Sequence, residues 1–419
     1  MSANEAEPVS SNKYIYEFTI DGGETNITAK KLQSNVLDGK GNFYKSAKWS
    51  PDGSMIATNS EDNSLCIYDL SDTVIKYSNN QQQQDSVSNN VVLVAPHGET
   101  LLDYAWYPYM SRHDLATGCL IESVREHPIQ LRDMHTGAVR ASYRAFDTKD
   151  VLMSANAVAF SADAQSIYSG YPGALARFDV QRPGLPVDQV LTSPSRRCKD
   201  GMKGVVSCIA VPQSISQTGA HMACASFSGH IGIRALGDIN NSVTWWRFPQ
   251  EYGGSGVTVL RWSPNGTLWA ASRRSDYIVG WDIRDLRGPL AVVRRQCTTQ
   301  QRMEFDFDGS GRHLIAGEMD GAISIHDTFV DGTATKLQGH GDLVAGVSSH
   351  PFYSLVATAS GQRHFENGSS DGSGNVEMHN KMQSTEPDEH CEARIDVKRR
   401  DSSLNIWSVS AAYLPMQHA

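Results

Sequence analysis

Two stretches of this chain repeat one another: Ala47-Lys48-Trp49-Ser50-Pro51-Asp52-Gly53, and Leu260-Arg261-Trp262-Ser263-Pro264-Asn265-Gly266. In each, an apolar strand runs into a Pro-Asp-Gly or Pro-Asn-Gly turn, which reverses the chain into a second strand. A third strand then ends near Asp, at Leu65-Cys66-Ile67-Tyr68-Asp69 in the first copy and Val279-Gly280-Trp281-Asp282 in the second. The repeated unit is therefore a small antiparallel β-sheet.

Weaker copies of this unit recur along the whole chain. The residues that mark the end of the first strand in each copy are Trp49, Trp106, Phe160, Val211, Trp262, Phe307 and Ser349. Successive markers lie about 42 to 57 residues apart, which is the period of WD repeats plus loop insertions, each repeat forming one four-stranded blade. The sequence therefore predicts an all-β protein, a seven-bladed WD-repeat β-propeller.

Chain length favours a single propeller domain, since seven blades of about 42 residues need roughly 290 residues of the 419 present. We expect blades at about 45–94, 103–143, 157–190, 205–248, 257–293, 302–337 and 344–407. The predicted segments are an N-terminal segment (1–41), the blades up to part of the seventh (42–365), an insertion in blade seven (366–401), and a final strand with a C-terminal tail (402–419).

The seventh blade is predicted to be split. The insertion contains nine acidic residues against five Lys and Arg, and it holds too few apolar residues to offset the entropy of ordering, so we expect it to be disordered. Leu404-Asn405-Ile406-Trp407 then supplies a third strand. The alternating residues 14–20 are predicted to add the fourth and to close the ring with a strand from the N-terminal segment.

Composition excludes several classes of protein. Hydrophobic content of 40% and charged content of 20% are ordinary for a soluble protein, no run of about 18 apolar residues predicts a membrane span, and a signal peptide is not recognisable. The seven cysteines are scattered singly, which favours reduced thiols in cytosol or nucleus over disulfides or a zinc site.

Catalysis has little support in the sequence. Gly368-Ser369-Ser370-Asp371-Gly372 matches a nucleophile elbow letter for letter, but such an elbow joins a strand to a helix, and this copy lies in the acidic insertion. Phosphate-loop, zinc-protease and dinucleotide motifs are absent, and His340 is expected to be a structural histidine of the repeat. We therefore predict no enzyme, no catalytic residue, no metal and no cofactor.

Arginines recur at equivalent places in several blades. The four strands of such a blade are lettered a to d from the central axis outward. The a–b turn lies on one face of the disc, and the b–c turn and the d–a connection, which leads into the next blade, lie on the other. Arg125, Arg273, Arg274 and Arg363 fall at the end of strand b or in the b–c turn, and Arg302 falls in a d–a connection.

All five guanidinium groups are therefore predicted to point to one rim, where they could bind phosphate, because arginine donates paired hydrogen bonds and keeps its charge. Pairing with acids such as Glu122, Glu126 or Asp276, or simple solvation, is the alternative, and position alone leaves both open.

Several strings go beyond a generic WD repeat: Arg125-Glu126-His127-Pro128-Ile129, Thr299-Gln300-Gln301-Arg302, and Ala357-Thr358-Ala359-Ser360-Gly361-Gln362-Arg363. In these strings the chain resembles the telomerase Cajal body protein family, WD-repeat proteins that carry small Cajal body RNAs. The resemblance extends from about residue 42 to residue 365 and resumes weakly at residues 404–407.

The resemblance implies a non-enzymatic trafficking factor that binds box H/ACA small Cajal body RNAs and delivers their particles to Cajal bodies. It also implies H/ACA ribonucleoprotein partners, telomerase RNA in species whose RNA carries the motif, and a location in the nucleus and Cajal body, with the cytoplasm as a further site. We expect a monomer that does not bind membranes. The candidate RNA-binding residues are Arg125, Arg273, Arg274, Arg302 and Arg363 as phosphate contacts, and Gln301 and Gln362 as readers of base edges.

A protein-interaction scaffold that binds a peptide on the propeller face is the alternative function. The basic run Lys398-Arg399-Arg400 is either an import signal or a solvated surface, and the sequence does not decide between them.

Overall fold

The chain folds into seven four-stranded antiparallel sheets, which confirms the predicted seven-bladed propeller. This computed structural model describes residues 15–18, 29–37, 41–78, 90–193, 201–212, 221–330, 334–364, 401–409 and 411–414. The glutamine-rich segment and most of the acidic insertion, with its Gly-x-Ser-x-Gly string, lie outside these ranges.

The strands follow the chain order of the repeat. Two N-terminal strands come first, β1 (Ile15–Phe18) and β2 (Ala29–Val36). Blade one contains β3 (Tyr44–Trp49), β4 (Met55–Ser60), β5 (Ser64–Asp69), the helix α1 (Ser71–Ser78) and β6 (Val91–Pro96). Blade two contains β7 (Leu101–Trp106), β8 (Cys119–Val124), β9 (Ile129–Asp133) and β10 (Val139–Tyr143), and a hairpin of β11 (Ala145–Phe146) and β12 (Leu152–Met153) follows.

Blades three to six repeat this order. Blade three contains β13 (Ala157–Phe160), β14 (Ser166–Tyr171), β15 (Ala174–Asp179) and β16 (Asp188–Leu191). Blade four contains β17 (Val206–Ala210), β18 (His221–Ser226), β19 (His230–Ala235) and β20 (Ser242–Arg247), with a 3-10 turn at Gln250–Tyr252. Blade five contains β21 (Val257–Trp262), β22 (Leu268–Ser272), β23 (Tyr277–Trp281) and β24 (Ala291–Arg294).

Blade six contains β25 (Phe305–Phe307), β26 (His313–Gly317), β27 (Ala322–Asp327) and β28 (Ala334–Gln338). Blade seven contains β29 (Val344–Ser349), β30 (Leu355–Ser360) and β31 (Ser403–Val409), and β32 (Ala411–Leu414) follows.

Two of the tryptophan markers tie their blade to the one before it. Six of the seven markers end an innermost strand, and Val211 directly follows β17. The indole nitrogen of Trp106 donates to the carbonyl of Lys48 at 2.9 Å, and that of Trp262 donates to the carbonyl of Ala210 at 3.1 Å. A large apolar ring that also donates one hydrogen bond can thus bury its area between blades without leaving its N–H unpaired.

The ring is closed by an N-terminal strand, as predicted, but the strand is β2 rather than residues 14–20. Lys30 to Val36 pair with Ser408 to Ser403 of β31, which also pairs with β30. The predicted segment instead forms β1, which pairs with β32 in a separate two-stranded sheet. An outermost strand buries few side chains. Among the side chains of β2 that the structure describes, Leu32 and Asn35 are the buried ones, so the strand shows little of the apolar–polar alternation on which the prediction relied.

Blades seven and one meet closely at the closure seam. A Cβ atom on Gly346 would lie 2.6 Å from the backbone nitrogen of Ala47, so only glycine lets the two inner strands approach this far. The backbone N–H of Trp49 donates to Ser348 Oγ at 3.2 Å across the same seam. The seam is therefore packed as tightly as the interior of a blade.

His340 has the structural role expected from the sequence. Its ring is buried, with Nε2 2.7 Å from Thr358 Oγ1 and Nδ1 2.9 Å from Ser403 Oγ. Thr358 Oγ1 also accepts a hydrogen bond from the Trp407 indole at 2.7 Å. This buried network joins the connection before blade seven to two strands of that blade, β30 and β31.

Candidate functional site

The b–c turns and d–a connections form one face of the propeller, which we call the connection face; the a–b and c–d turns form the turn face. Backbone hydrogen bonds join the two kinds of loop, from Arg125 to Thr100 at 2.9 Å and from Arg273 to Gly256 at 3.0 Å. The predicted sorting of loops between faces is correct. The prediction required only the order of the strands, because successive antiparallel strands must end on opposite faces of the disc.

Arg125 and Arg274 are the exposed arginines of this set that have no acidic partner. Arg125 directly follows β8, and Arg274 lies in the turn after β22. The backbone of Arg274 is left-handed, with φ 54°, and its N–H donates to the carbonyl of Thr299 at 2.9 Å. Among the described residues, neither guanidinium forms an ion pair or a hydrogen bond. Both charges are therefore available to a ligand.

Arg273 is held against an aromatic ring. Its guanidinium carbon lies 4.7 Å from the centre of the Phe227 ring, and Nη2 donates to the carbonyl of Phe227 at 3.4 Å. The side chain is half-buried. A guanidinium stacked in this way is fixed in orientation while part of its donor edge remains usable.

Arg363 carries an exposed but compensated charge. It forms an ion pair with Glu61, and Lys45 Nζ lies 2.8 Å from the same carboxylate. Desolvation raises the pKa of Glu61, but the two cations outweigh it and hold the pKa below its ordinary value. With 64% of the side chain exposed, Arg363 can reach a ligand only in competition with Glu61.

The two glutamines are fixed by their amide nitrogens. Gln301 Nε2 donates to the carbonyl of Gly361 at 3.1 Å, and Gln362 Nε2 donates to Asp342 Oδ1 at 2.7 Å. The first bond joins the connection into blade six to the b–c loop of blade seven. Each amide is therefore oriented, and its oxygen and second hydrogen are the groups that could read a base edge.

Arg302 does not lie at the rim, and that part of the prediction is wrong. Its Nη2 donates to the carbonyl of Ser207 at 3.0 Å, and its Nη1 lies 3.7 Å from Asp103 Oδ1. Ser207 and Asp103 belong to the innermost strands of blades four and two, so the side chain extends from blade six into the central channel. A connection loop thus places its backbone on one face while its long side chain turns inward.

The channel contains further charged residues that the sequence reasoning missed. Lys48 Nζ lies 3.0 Å from Asp103 Oδ1, and Arg261 Nε lies 4.0 Å from Asp306 Oδ1. Burial raises the pKa of Asp103, but Lys48 and Arg302 outweigh it, so the pKa is lowered. The sequence did contain a signal for these channel residues. Lys48, Arg261 and Asp306 each directly precede a marker residue. Because side chains alternate along a strand, this position points away from the blade interior.

Metal and membrane sites find no support in the described parts of the chain. No group of three or more His, Cys, Asp or Glu side chains in the ranges given above is placed to hold a metal ion. Over the same ranges, none of the helices has the length and apolar character needed to cross a membrane. The chemistry that the connection face offers is hydrogen bonding by cations and amides.

Comparison with known proteins supports the same architecture. The family profile "WD domain, G-beta repeat" matches residues 33–69. "Telomerase Cajal body protein 1" of Homo sapiens is 34% identical over 365 residues, which is 85% of this chain and 63% of that protein. The protein of the same name from Bos taurus is 36% identical over 333 residues, 77% of this chain and 58% of that protein.

A fission yeast protein is also similar. "Guanine nucleotide-binding protein negative regulator 1" of Schizosaccharomyces pombe is 30% identical over 292 residues, 67% of this chain and 70% of that protein. The chain spans about three fifths of the length of the animal relatives. The repeat, the propeller and these identities together show a WD-repeat protein that is homologous to the telomerase Cajal body proteins.

Proposed function

We propose that the connection face binds RNA, and that the protein is a non-enzymatic factor that binds box H/ACA small Cajal body RNAs and delivers their particles to Cajal bodies. The observation that carries this proposal is the pair of exposed guanidinium groups of Arg125 and Arg274, which have no acidic partner in the described structure although the chain has a formal charge of −9. Among the residues that the structure describes, neither guanidinium pairs with a carboxylate, so no internal ion pair accounts for either charge.

Two features of the connection face support a polynucleotide with unpaired bases as the ligand. Arg125 and Arg274 lie in the separate blades two and five, so a ligand that contacts both must extend between blades, as a nucleic-acid backbone can and one short anion cannot. Gln301 and Gln362 lie on the same face with oriented amides. Sequence-specific RNA recognition usually targets unpaired loops, whose bases expose their edges to such groups.

The relatives' names supply the finer parts of the proposal. We propose a nuclear and Cajal body location, with passage through the cytoplasm, and H/ACA ribonucleoprotein proteins as partners. Where the telomerase RNA of the organism carries the recognised loop motif, we propose that this RNA binds as well. The protein would act as a monomer in each particle.

The test is purification of the full chain from its own cells, followed by sequencing of the RNA that co-purifies. We expect small H/ACA-type RNAs with a shared loop motif, and we expect their loss from the double variant Arg125→Ala/Arg274→Ala. The matched control is Arg284→Ala/Arg287→Ala, which removes two arginines that are 83% and 90% exposed on the turn face. Recovery of the same RNA from both double variants would refute the proposed face.

The alternative is a protein-interaction scaffold, and the name of the fission yeast relative, a negative regulator, favours it. Ribonuclease treatment before purification separates the two functions. If RNA links the partners, the treatment removes them, whereas a scaffold retains its polypeptide partners. The contact between Arg302, at the start of blade six, and Asp103 of blade two spans the channel and argues against a peptide threaded through the centre, so a scaffold would use the rim or the outer strands.

A further inference from the structure

Blade four presents an uncovered tryptophan beside the connection face. Trp245 and Arg247 point to the same side of β20, because side chains alternate along a strand, and Trp246 points to the other side, where it packs 5.7 Å from Trp281. Opposite Trp245 on β19 is Gly232, which has no side chain to cover the ring. Trp245 consequently remains 36% exposed.

The surroundings of Trp245 are cationic. Its ring lies 5.6 Å from that of His230, which is buried and accepts a hydrogen bond from Arg247 Nε at 3.2 Å. Burial lowers the pKa of His230, and the charges of Arg247 and Lys203 lower it further. The histidine is therefore a neutral support, and the charge at this place comes from exposed Arg247 and from Lys203.

A second pair of an aromatic ring and a cation lies at the b–c turn of blade four, between β18 and β19, three residues before His230. Phe227 is stacked by Arg273, whose buried Nε has no hydrogen-bond partner within the described residues. The turn is clamped from both sides: a Cβ on Gly204 would lie 2.2 Å from Ser228 Oγ, and one on Gly256 would lie 2.2 Å from the carbonyl oxygen of Phe227. Both glycines have positive φ, so neither position tolerates another residue without moving the turn.

We propose that Trp245 and the Arg273–Phe227 pair are stacking platforms for unpaired nucleobases, and that Arg247 and Arg273 hold the adjoining phosphates. Bases stack on tryptophan and phenylalanine rings and on guanidinium planes, and single-stranded nucleic acid is bound by such rings set among cations. A ligand that is aromatic on its faces and anionic along its backbone fits both features. This sub-site rests on the proposed RNA-binding function and extends it to blades four and five.

The test measures binding of a labelled ten-nucleotide RNA, single-stranded or annealed to its complement, to the full chain. Trp245→Ala should weaken single-strand binding about 5- to 150-fold, the range for loss of one stacked base, with little change for the duplex. Trp245→Tyr should restore most of the affinity. Phe329→Ala, which removes a 71% exposed ring from the turn face, should have no effect.

Salt dependence adds a readout that a merely structural role would not change. Arg247→Ala should reduce the slope of log affinity against log salt by about 0.7, the contribution of one phosphate contact on a single strand. Trp245→Ala should leave that slope unchanged. Thermal melting of each variant verifies that the propeller is folded, and ultraviolet cross-linking should place RNA adducts on Trp245 or Phe227.

Failure of this inference is distinguishable from failure of the proposed function. If Trp245→Ala binds single strands like the wild type while Arg125→Ala/Arg274→Ala is weakened, the sub-site is refuted and the face stands. If no variant and no wild-type protein binds RNA, both are refuted. If a phosphopeptide binds in a manner that depends on Trp245 and the RNA does not, the sub-site belongs to a protein partner and the RNA assignment is overturned.

Discussion

Removal of Arg125 and Arg274 should change how salt affects RNA binding by a calculable amount. Both guanidinium groups are exposed, and neither is paired with another described residue, so the double variant Arg125→Ala/Arg274→Ala loses charge without losing a bond that the structure shows. Each phosphate contact on a single strand contributes about 0.7 to the slope of log affinity against log salt. Two lost contacts therefore reduce the slope by about 1.4.

The slope can be converted into affinities. If the four sequence-predicted arginines on the connection face each contact one phosphate, affinity falls about 50-fold between about 50 and 200 mM salt. For the double variant the same change of salt costs about 7-fold. The ratio between the two proteins, about 7-fold, depends only on the two contacts removed, so it holds whatever number of contacts remains.

Fluorescence anisotropy with the co-purified RNA, titrated at five salt concentrations, measures this slope. The variant Arg284→Ala/Arg287→Ala should behave like the wild type, because its arginines lie on the turn face and pair with Asp282 and Asp285. An unchanged slope in Arg125→Ala/Arg274→Ala, with normal melting, would show that these groups do not meet phosphate and would remove the physical basis of the proposed face.

Arg302 provides the contrasting case. Because its guanidinium bonds the carbonyl of Ser207 and approaches Asp103 in the channel, Arg302→Ala should destabilise the fold by about 1–3 kcal/mol, the cost of leaving buried groups unpaired. The salt slope should stay unchanged. A decrease of about 0.7 in the slope would instead mean that the side chain leaves the channel to bind RNA.

Three further predictions concern the fold. Leu32→Ala should lower the free energy of unfolding by about 2–5 kcal/mol, because Leu32 packs the closing strand into the core. Deletion of residues 1–18 should lower it much less. Equal losses for the two variants in denaturant titrations would contradict the closure by β2. Burial lowers the pKa of His326 and of His350 to about 4, so below about pH 6.5 the unfolded chain binds more protons than the folded one. The free energy of unfolding should therefore fall from pH 6.5 towards pH 4, by about 2 kcal/mol per histidine at pH 5. A stability profile that is flat over this range, or that His350→Gln leaves unchanged, would count against this. Burial also raises the pKa of four thiols to about 11 or 12: Cys66, Cys119, Cys208 and Cys224. Alkylation of the native protein at pH 8, measured site by site, should therefore spare these thiols until the protein unfolds. Rapid labelling of the native protein would contradict their burial.

The inner strands could be predicted because their residues obey two local rules at once. A strand that is buried on both faces must be apolar, and a tight turn must follow it, so the marker pattern places strand a in every blade to within one residue. The predicted marker Val211 lies one residue beyond the observed end of β17 at Ala210, because no turn residue directly follows Ala210 to indicate where the strand ends. The outer strands obey neither rule strictly, and β2 could not be told from other polar segments.

The helix α1 shows the same limit. Thr73, Val74 and Ile75 are β-branched and favour a strand by propensity, but Asp69 accepts a hydrogen bond from the backbone of Ser71 at 2.9 Å and starts a helix. Val74 then packs into the core, and Tyr77 bonds Ser354 of blade seven at 2.7 Å. Contacts with another blade decide this segment, and no local pattern contains them.

For the candidate site, the sequence predicted positions better than side-chain directions. Arg125, Arg273, Arg274 and Arg363 follow the ends of β8, β22 and β30, as their place after an apolar run requires. Arg302 differs because the three methylene groups of an arginine side chain can place the guanidinium several ångströms from its backbone, in this case towards Asp103. Trp245 and Trp246 are identical letters on opposite sides of one strand, and only the register with β19 shows which ring is covered.

The distribution of charge explains how an acidic protein can offer an RNA face. In the channel each cation has a carboxylate close by, Lys48 and Arg302 beside Asp103 and Arg261 beside Asp306, so these cations add little field outside the propeller. The net charge of −9 is screened beyond about 8–10 Å at physiological salt. Under the proposed function, a phosphate that approaches Arg125 or Arg274 therefore meets a guanidinium with no acidic partner among the described residues rather than the summed charge of the chain. We accordingly expect RNA affinity to depend on which arginines lack acidic neighbours, not on how many arginines the sequence contains.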